Sequence, residues 1–321
     1  MASSNLSNLQ VFERTFETVM IESIAQVVEL FNAASGGTIV LRAGNNPGSF
    51  NTEAFYDMDD AVVLRDINAD DAVAEANLSR ETVGGVKLAY GTKPIRMDEA
   101  LWDWIGRNPS EAAVVAAQKL GPAFMQQKLN LAIAAAAAAL QNVGASVIHD
   151  TVDDAISLSA LNSGSAKFGD RSTAIAAWIM HSTPFHQLIA AGLTNATQLF
   201  VYGTVRIMAD VMGRPFVITD SPDLIATDSD YLTLGLVAGG VVMEENPGFR
   251  TNVVRTNGKT NIVTTQQSEG TFNLTLKGFK WDESHGGASP LADAIAVGTN
   301  WDQVVDSIKD GPGVVVRTDD T

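Results

Sequence analysis

Residues 108–144, NPSEAAVVAAQKLGPAFMQQKLNLAIAAAAAALQNVG, read as one long alanine-rich helix. Asn108 can serve as its N-cap and Pro109 fits the first helical position. Glu111 falls in the first turn, where a negative charge suits the helix dipole. Ala134 to Ala139 are an unbroken run of the residue with the highest helix propensity, and Gly144 supplies a left-handed stop. At about 1.5 Å per residue the rod is roughly 50 Å long. An average helix has about 11–12 residues, so this one must be covered along its length by other elements or other chains. Gly121-Pro122 interrupts the pattern, and a proline there is expected to kink the helix or split it in two. A segment this bland points to architecture before chemistry.

The 321 residues are 45% hydrophobic, enough for one large or two modest cores. The formal net charge of −16 repels nucleic acid, which argues against a protein that reads DNA sequence. It does not argue against a container for DNA, whose inner wall should not stick to its contents. With no cysteine, disulfides, thiolate zinc sites and cysteine nucleophiles are excluded. The N-terminal text MASSNLSNLQVFERTF lacks the basic and apolar regions of a secretory signal, and Leu129 to Leu140 is too short to span a bilayer.

Upstream of the long helix, residues 1 to 17 read as a polar, extended arm. Val19, Met20, Ile24, Val27, Val28 and Phe31 then form a helical stripe that ends at Ser35-Gly36-Gly37, and Thr38 to Leu41 is a short strand. Residues 49–96 have scattered β-formers and a Gly84-Gly85 pair that reads as a turn. Their charge is segregated. Glu53, Asp57, Asp59, Asp60, Asp66, Asp70, Asp71 and Glu75 stand against Arg65 in the first half. Arg80, Lys87, Lys93 and Arg96 stand against Glu81 in the second. One reading is a hairpin whose arms pair with each other. The other is a charged loop that docks on a neighbouring subunit, since loops this long are usually functional or disordered. Asp98 to Arg107 reads as a short helix.

Downstream, Ile175 to Met180, Pro215 to Thr219, Tyr231 to Val237 and Gly240 to Glu244 read as strands, with a helix over Thr183 to Ala191. Asn257-Gly258 marks a hairpin between Asn252–Thr256 and Thr260–Thr265. Thr271 to Trp281 alternates like a half-buried strand with a bulge at Gly278. Ala292 to Val297 and Trp301 to Ile308 read as short helices, and Val314 to Val316 as a last strand.

Nothing in this text reaches the threshold of an active site. His181 and His186 are five apart, off the spacing of a helical metal pair, and His149 and His285 are isolated. His181 with Ser182, and Asp220 with Ser221, supply triad residue types but no nucleophile elbow. Gly311-Pro312-Gly313 precedes a strand and lacks a third glycine, so it is no dinucleotide loop. Asp66 to Asp70 begins like a calcium loop, then places Asp71 where glycine is needed and Asn77 where glutamate belongs. Met180, Met208, Met212 and Met243 fall in strand or helix patterns and read as core. The expectation is no catalytic residue, no cofactor and no metal.

The order of segments resembles the tailed-phage major capsid protein: an N-terminal arm, a long β-hairpin (the E-loop), a long spine helix, then an α/β axial domain with strands returning beneath the spine. Local text is also similar. AAWIMHSTPFHQLI (176–189) resembles the family's strand-then-helix segment, and ADVMGRPFVITDSP (209–222) the strand after it. YLTLGLVAGGVVMEE (231–245) resembles the next strand pair, and GFKWDESHGGASP (278–290) with GTNWDQV (298–304) the C-terminal region of one subgroup. The resemblance implies an α+β chain divided at 1–47 (arm and first helix), 48–97 (E-loop), 98–145 (peripheral domain with spine), 146–245 (axial domain), 246–285 (returning strands) and 286–321 (C-terminal axial part). It implies a structural subunit of the virion, assembled in the bacterial cytoplasm with many copies of itself, as pentamers and hexamers, around double-stranded DNA. A portal protein, a separate scaffolding protein and room for a decoration protein go with it, and no membrane. Asp57, Asp59, Asp60, Arg65, Arg80, Lys87, Lys93 and Arg96 become inter-subunit contacts, and Gly121-Pro122 the bend of the spine. Lys87 and Lys93 lie where some members form a crosslink, but no partner is identified and none is expected. An encapsulin-like compartment and, from a different class, an acidic hydrolase or adhesin are the alternatives.

Overall fold

A computed structural model describes residues 2–44, 50–57, 68, 79–97, 109–151, 154–190, 197–202, 205–209, 214–226, 229–257, 260 and 262–319. The long helix is present and central. It runs without interruption over Pro109–Val143, with Glu111 in its first turn and Pro122 inside it. Gly144 ends it with φ of 86°. Of the kink or split expected at Gly121-Pro122, the split does not occur, since the helix is continuous through Pro122. Proline there removes one amide, the partner of the Gln118 carbonyl, and Gln118 is exposed so water can take that place. Phe124 and Met125, both buried, hold the turn that follows. Asn108, the expected cap, lies outside the described residues, as does the helix expected at Asp98–Arg107.

The first 34 residues also depart from expectation. The polar arm is instead the beginning of a helix, Ala2–Ala34. Phe12, Phe16 and Met20 recur every fourth residue and are all buried. They pack on Ala113, Ala117 and Phe124 of the central helix, so tertiary burial decides a segment whose composition is polar.

Among the described residues, two seven-stranded sheets flank the central helix. The first has the order β1-β11-β13-β3-β2, with β12 and β4 also on β13. Its strands are β1 (Ile39–Ala43), β2 (Phe50–Asp57), β3 (Ser79–Gly91), β4 (Ile95–Met97), β11 (Val241–Glu245), β12 (Arg250–Thr256) and β13 (Val263–Leu276). The second has the order β5-β16-β10-β6-β9-β8-β7. It comprises β5 (Ile148–Asp150), β6 (Ile175–Met180), β7 (Thr197–Tyr202), β8 (Val205–Ala209), β9 (Pro215–Ile218), β10 (Asp230–Val237) and β16 (Gly313–Asp319). β10 and β11, adjacent in sequence, are therefore not a pair: a turn at 238–240 carries the chain from one sheet to the other.

The alanine run explains how both sheets reach the same helix. Ala134 to Ala139 are all buried. Ala134 to Ala137 and Ala139 share one core with Leu41, Leu88 and Leu274 of the first sheet and Ile179, Leu234 and Val315 of the second. Small side chains let backbones approach closely on every side. A Cβ on Gly298 would lie 2.6 Å from the Ala138 carbonyl, so the C-terminal segment also rests on this helix. The outer face of the second sheet buries Trp178, Phe216 and Val316 with Leu161 of the helix Leu158–Ala166. That helix, capped by the Ser157 hydroxyl accepting from Ala160 N at 3.1 Å, is absent from the sequence reading, as is the β7–β8 hairpin.

Three local expectations are corrected. Gly84-Gly85 is not a turn but mid-strand in β3, opposite Thr52 and Asn51 of β2. A Cβ at Gly85 would lie 2.3 Å from Thr275 Oγ1 and 2.7 Å from the Leu274 carbonyl, so glycine serves close strand approach. Gly278 is not a bulge: at φ 75° it makes a turn between β13 and β14 (Phe279–Trp281). Residues 301–308 are not a helix, because Trp301–Gln303 forms β15 against β14, with Trp281 and Trp301 edge-on at 4.9 Å. β12 and β13 pair antiparallel from Thr256↔Val263 to Arg250↔Glu269, as expected for the strands on either side of Asn257-Gly258, of which Gly258 lies outside the described residues. β13 runs unbroken from the first into the second of the two stretches read as separate strands.

Candidate functional site

The residues proposed for chemistry do not assemble an active site. His181 Nε2 lies 3.5 Å from Asp220 Oδ1, while Nδ1 accepts the Thr183 backbone amide at 3.2 Å. A triad needs one ring nitrogen on the carboxylate and the other on the hydroxyl. Here the second nitrogen is spent on the start of the helix Ser182–Ala190, so Ser182 has no base. The ring also lies tilted against that of Tyr231, with centroids 5.2 Å apart. Met180 and Met243 are buried core, Met208 lies in β8, and Met212 is outside the described residues. Among the described residues no group of histidine and carboxylate side chains is placed to hold a metal. Among those residues, too, no helix is long and apolar enough to cross a membrane.

His285 makes a small polar cluster of its own. Asp282 caps the short helix Glu283–Gly286, accepting from Ser284 N at 2.8 Å, and its second oxygen meets His285 Nδ1. The hydrogen bonds from Ser284 and His285 hold the Asp282 carboxyl well below the usual range, and Asp282 in turn raises His285. Both are local capping effects at an exposed turn.

The charged excursion is where the fold becomes informative. β2 and β3 pair antiparallel from Phe50↔Val86 to Asp57↔Ser79, so the two arms do pair with each other. Asp57 and Arg80 sit at the far end of that ladder. Asp59, Asp60 and Arg65 lie outside the described residues, as do Asp66, Asp70, Asp71 and Glu75. β3 pairs with β13 only over Val86 to Gly91, so residues 79–85 extend past the sheet with β2 as their ladder partner. Lys87 is half-buried at the root of this hairpin, opposite Asn273, whereas Lys93 and Arg96 are exposed just beyond it.

At the same root lies a polar cluster that the sequence reading missed. Glu245 receives Tyr90 Oη on one oxygen and Lys128 Nζ on the other. Lys128 is only 8% exposed, with its ammonium 4.9 Å over the Tyr90 ring and 5.9 Å over that of Phe272. Burial and the adjacent carboxylate push the Tyr90 phenol far up, which keeps it a donor. A signal was available: Lys128 falls in line with Met125, Leu129 and Ala132 on the buried face of the helix, where an unpaired cation is costly.

A model of the family described as major capsid protein 13-like matches residues 8–315. The chain belongs to the phage major capsid protein family. Solved structures agree on the fold. The cyanophage Pam1 capsid asymmetric unit is matched over 90% of this chain and 92% of its own, with a TM-score of 0.55 at 8% identity. The head structure of Helicobacter pylori bacteriophage KHP40 is matched over 90% and 89%, with a TM-score of 0.53 at 9% identity. The holo-SrpI encapsulin complex from Synechococcus elongatus PCC 7942 is matched over 88% and 84%, with a TM-score of 0.51 at 9% identity. The search of curated proteins found no match. The family is structural, in keeping with the failure of His181, Ser182 and Asp220 to form a triad.

Proposed function

We propose that this capsid-family chain is the shell-forming subunit of a tailed phage virion. Copies join as pentamers and hexamers into a closed icosahedral shell around double-stranded DNA, with a separate scaffolding protein and a portal as partners. The observation that carries this reading is the family match over residues 8–315, which spans both sheets and the central helix together. Three physical features suit it. A hairpin that extends past its own sheet gains partners when it docks on a neighbour, through Asp57, Asp59, Asp60, Arg65, Arg80, Lys87, Lys93 and Arg96. The long helix serves as the spine, with Gly121-Pro122 as its point of bending. A net charge of −16 leaves the wall without a general affinity for DNA.

The encapsulin match favours a second reading, a compartment for protein cargo. Electron microscopy of the expressed full chain, with and without the genes beside it, tests both. Uniform closed shells are expected, and their contents, DNA or protein, separate the two. A chain that stays a small oligomer even with its neighbouring genes would overturn the shell reading.

A further inference from the structure

Three elements meet at the Glu245 carboxylate. Tyr90 comes from β3, Lys128 from the central helix, and Glu245 is the last residue of β11. Tyr90 is also shared between two apolar clusters. Its ring centroid lies 5.5 Å from Phe124, 5.5 Å from Phe272 and 6.4 Å from Phe249. An ion pair between buried Lys128 and Glu245, whose side chain is 33% exposed, is a poor source of net stability, because desolvation of the ammonium offsets much of the Coulombic gain. What an apolar replacement lacks is direction. One carboxylate with its two oxygens assigned to different elements fixes how those elements sit relative to each other. The root of β3, Val86 to Gly91, pairs with β13, and residues 79–85 pair with β2, with Gly85 still packed against Thr275 and Leu274 of β13. The hairpin leaves this ladder at Val86, and Tyr90 lies on the same strand near the other end of the paired stretch.

We propose that Tyr90, Glu245 and Lys128 form a fastening that sets the angle of the β2–β3 hairpin to the central helix: a positioning device more than a store of stability. Hydrogen exchange on the full chain tests this, with all variants held in one assembly state. Glu245→Gln should speed exchange at 86–91 and 241–245 about tenfold while β6 and β10 stay near wild type. The double variant Lys128→Met with Glu245→Gln leaves no unpaired buried charge. It should recover the wild-type denaturation midpoint yet keep the loosened root. Tyr90→Phe, which keeps the ring and removes one link, should loosen the same segment less. If Glu245→Gln does not fold, the double variant and Tyr90→Phe carry the test. The proposal is overturned by unchanged exchange at the root, by a uniform rise across both sheets, or by a double variant that regains both midpoint and root protection. It does not depend on shell assembly, so it and the shell reading can fail separately.

Discussion

At the scale of single residues, the informative positions are those where one atom more or less changes what can pack. Gly85 is such a position, with Thr275 Oγ1 2.3 Å and the Leu274 carbonyl 2.7 Å from where a Cβ would stand. Gly85→Ala should destabilise the chain by about 1–3 kcal/mol through overpacking between β3 and β13. Denaturant titration checks it, and an unchanged midpoint would show that the strands have room to part. Asp282 offers a test in pH. Its carboxyl is held low by Ser284 and His285, so its contribution is present above the ordinary carboxylate pKa and is lost as pH falls through the lowered one. His285 is raised by Asp282, so its contribution is complete below the ordinary imidazole pKa and is lost as pH rises through the raised one. The turn is therefore best held between about pH 4 and 6.5. Asp282→Asn should bring the His285 titration, followed by NMR, back down towards the ordinary value. A titration that does not move would deny the pair.

At the scale of elements, the central helix was legible because three signals agree: helix propensity in the alanine run, Glu111 in the first turn and glycine at the stop. Of the two outcomes expected at Pro122, the split is absent, and the buried packing of Phe124 and Met125 supports the turn that follows the proline. The first half of the N-terminal helix was missed. Its stripe of Phe12, Phe16 and Met20 is narrow and set in polar text, and only the facing Ala113 and Ala117 give it meaning. The Tyr90–Glu245–Lys128 cluster was legible only at Lys128, which stands on the apolar stripe of the helix, since its partners are separated from it by long stretches of chain and nothing local marks them. Pro122→Ala restores an amide for the Gln118 carbonyl and should stabilise the helix by roughly 1–3 kcal/mol, since proline inside a helix costs at least that much. If the spine bends there during assembly, the stabler chain should give fewer shells or shells of altered diameter. Normal shells from it would leave Pro122 with no role in assembly.

At the scale of the whole molecule, the alanine run and the hairpin divide the labour. The run draws two sheets and the C-terminal segment onto one helix, which makes a subunit stiff enough to tile. The hairpin extends past its pairing with β13, and under the proposed docking role it would be the part that reaches a neighbour. Lys93 and Arg96 are exposed beside its root, outside the apolar core and outside the Glu245 cluster, so their charge can be reversed without touching what folds the chain. Lys93→Glu with Arg96→Glu takes the net charge from −16 to about −20, and exposed charges contribute only about 0–1 kcal/mol each to folding. Circular dichroism and the denaturation midpoint should therefore stay near wild type. Assembly is a different matter, because a like-charge contact repeats at every equivalent interface of a shell, and each must form for closure. Fewer closed shells, with yield partly recovered at high salt as screening shortens the reach of the repulsion, is the expected result. Shells in normal yield at low salt would remove these two residues from the docking surface and leave Asp57, Arg80 and Lys87 as the charged candidates on the described hairpin.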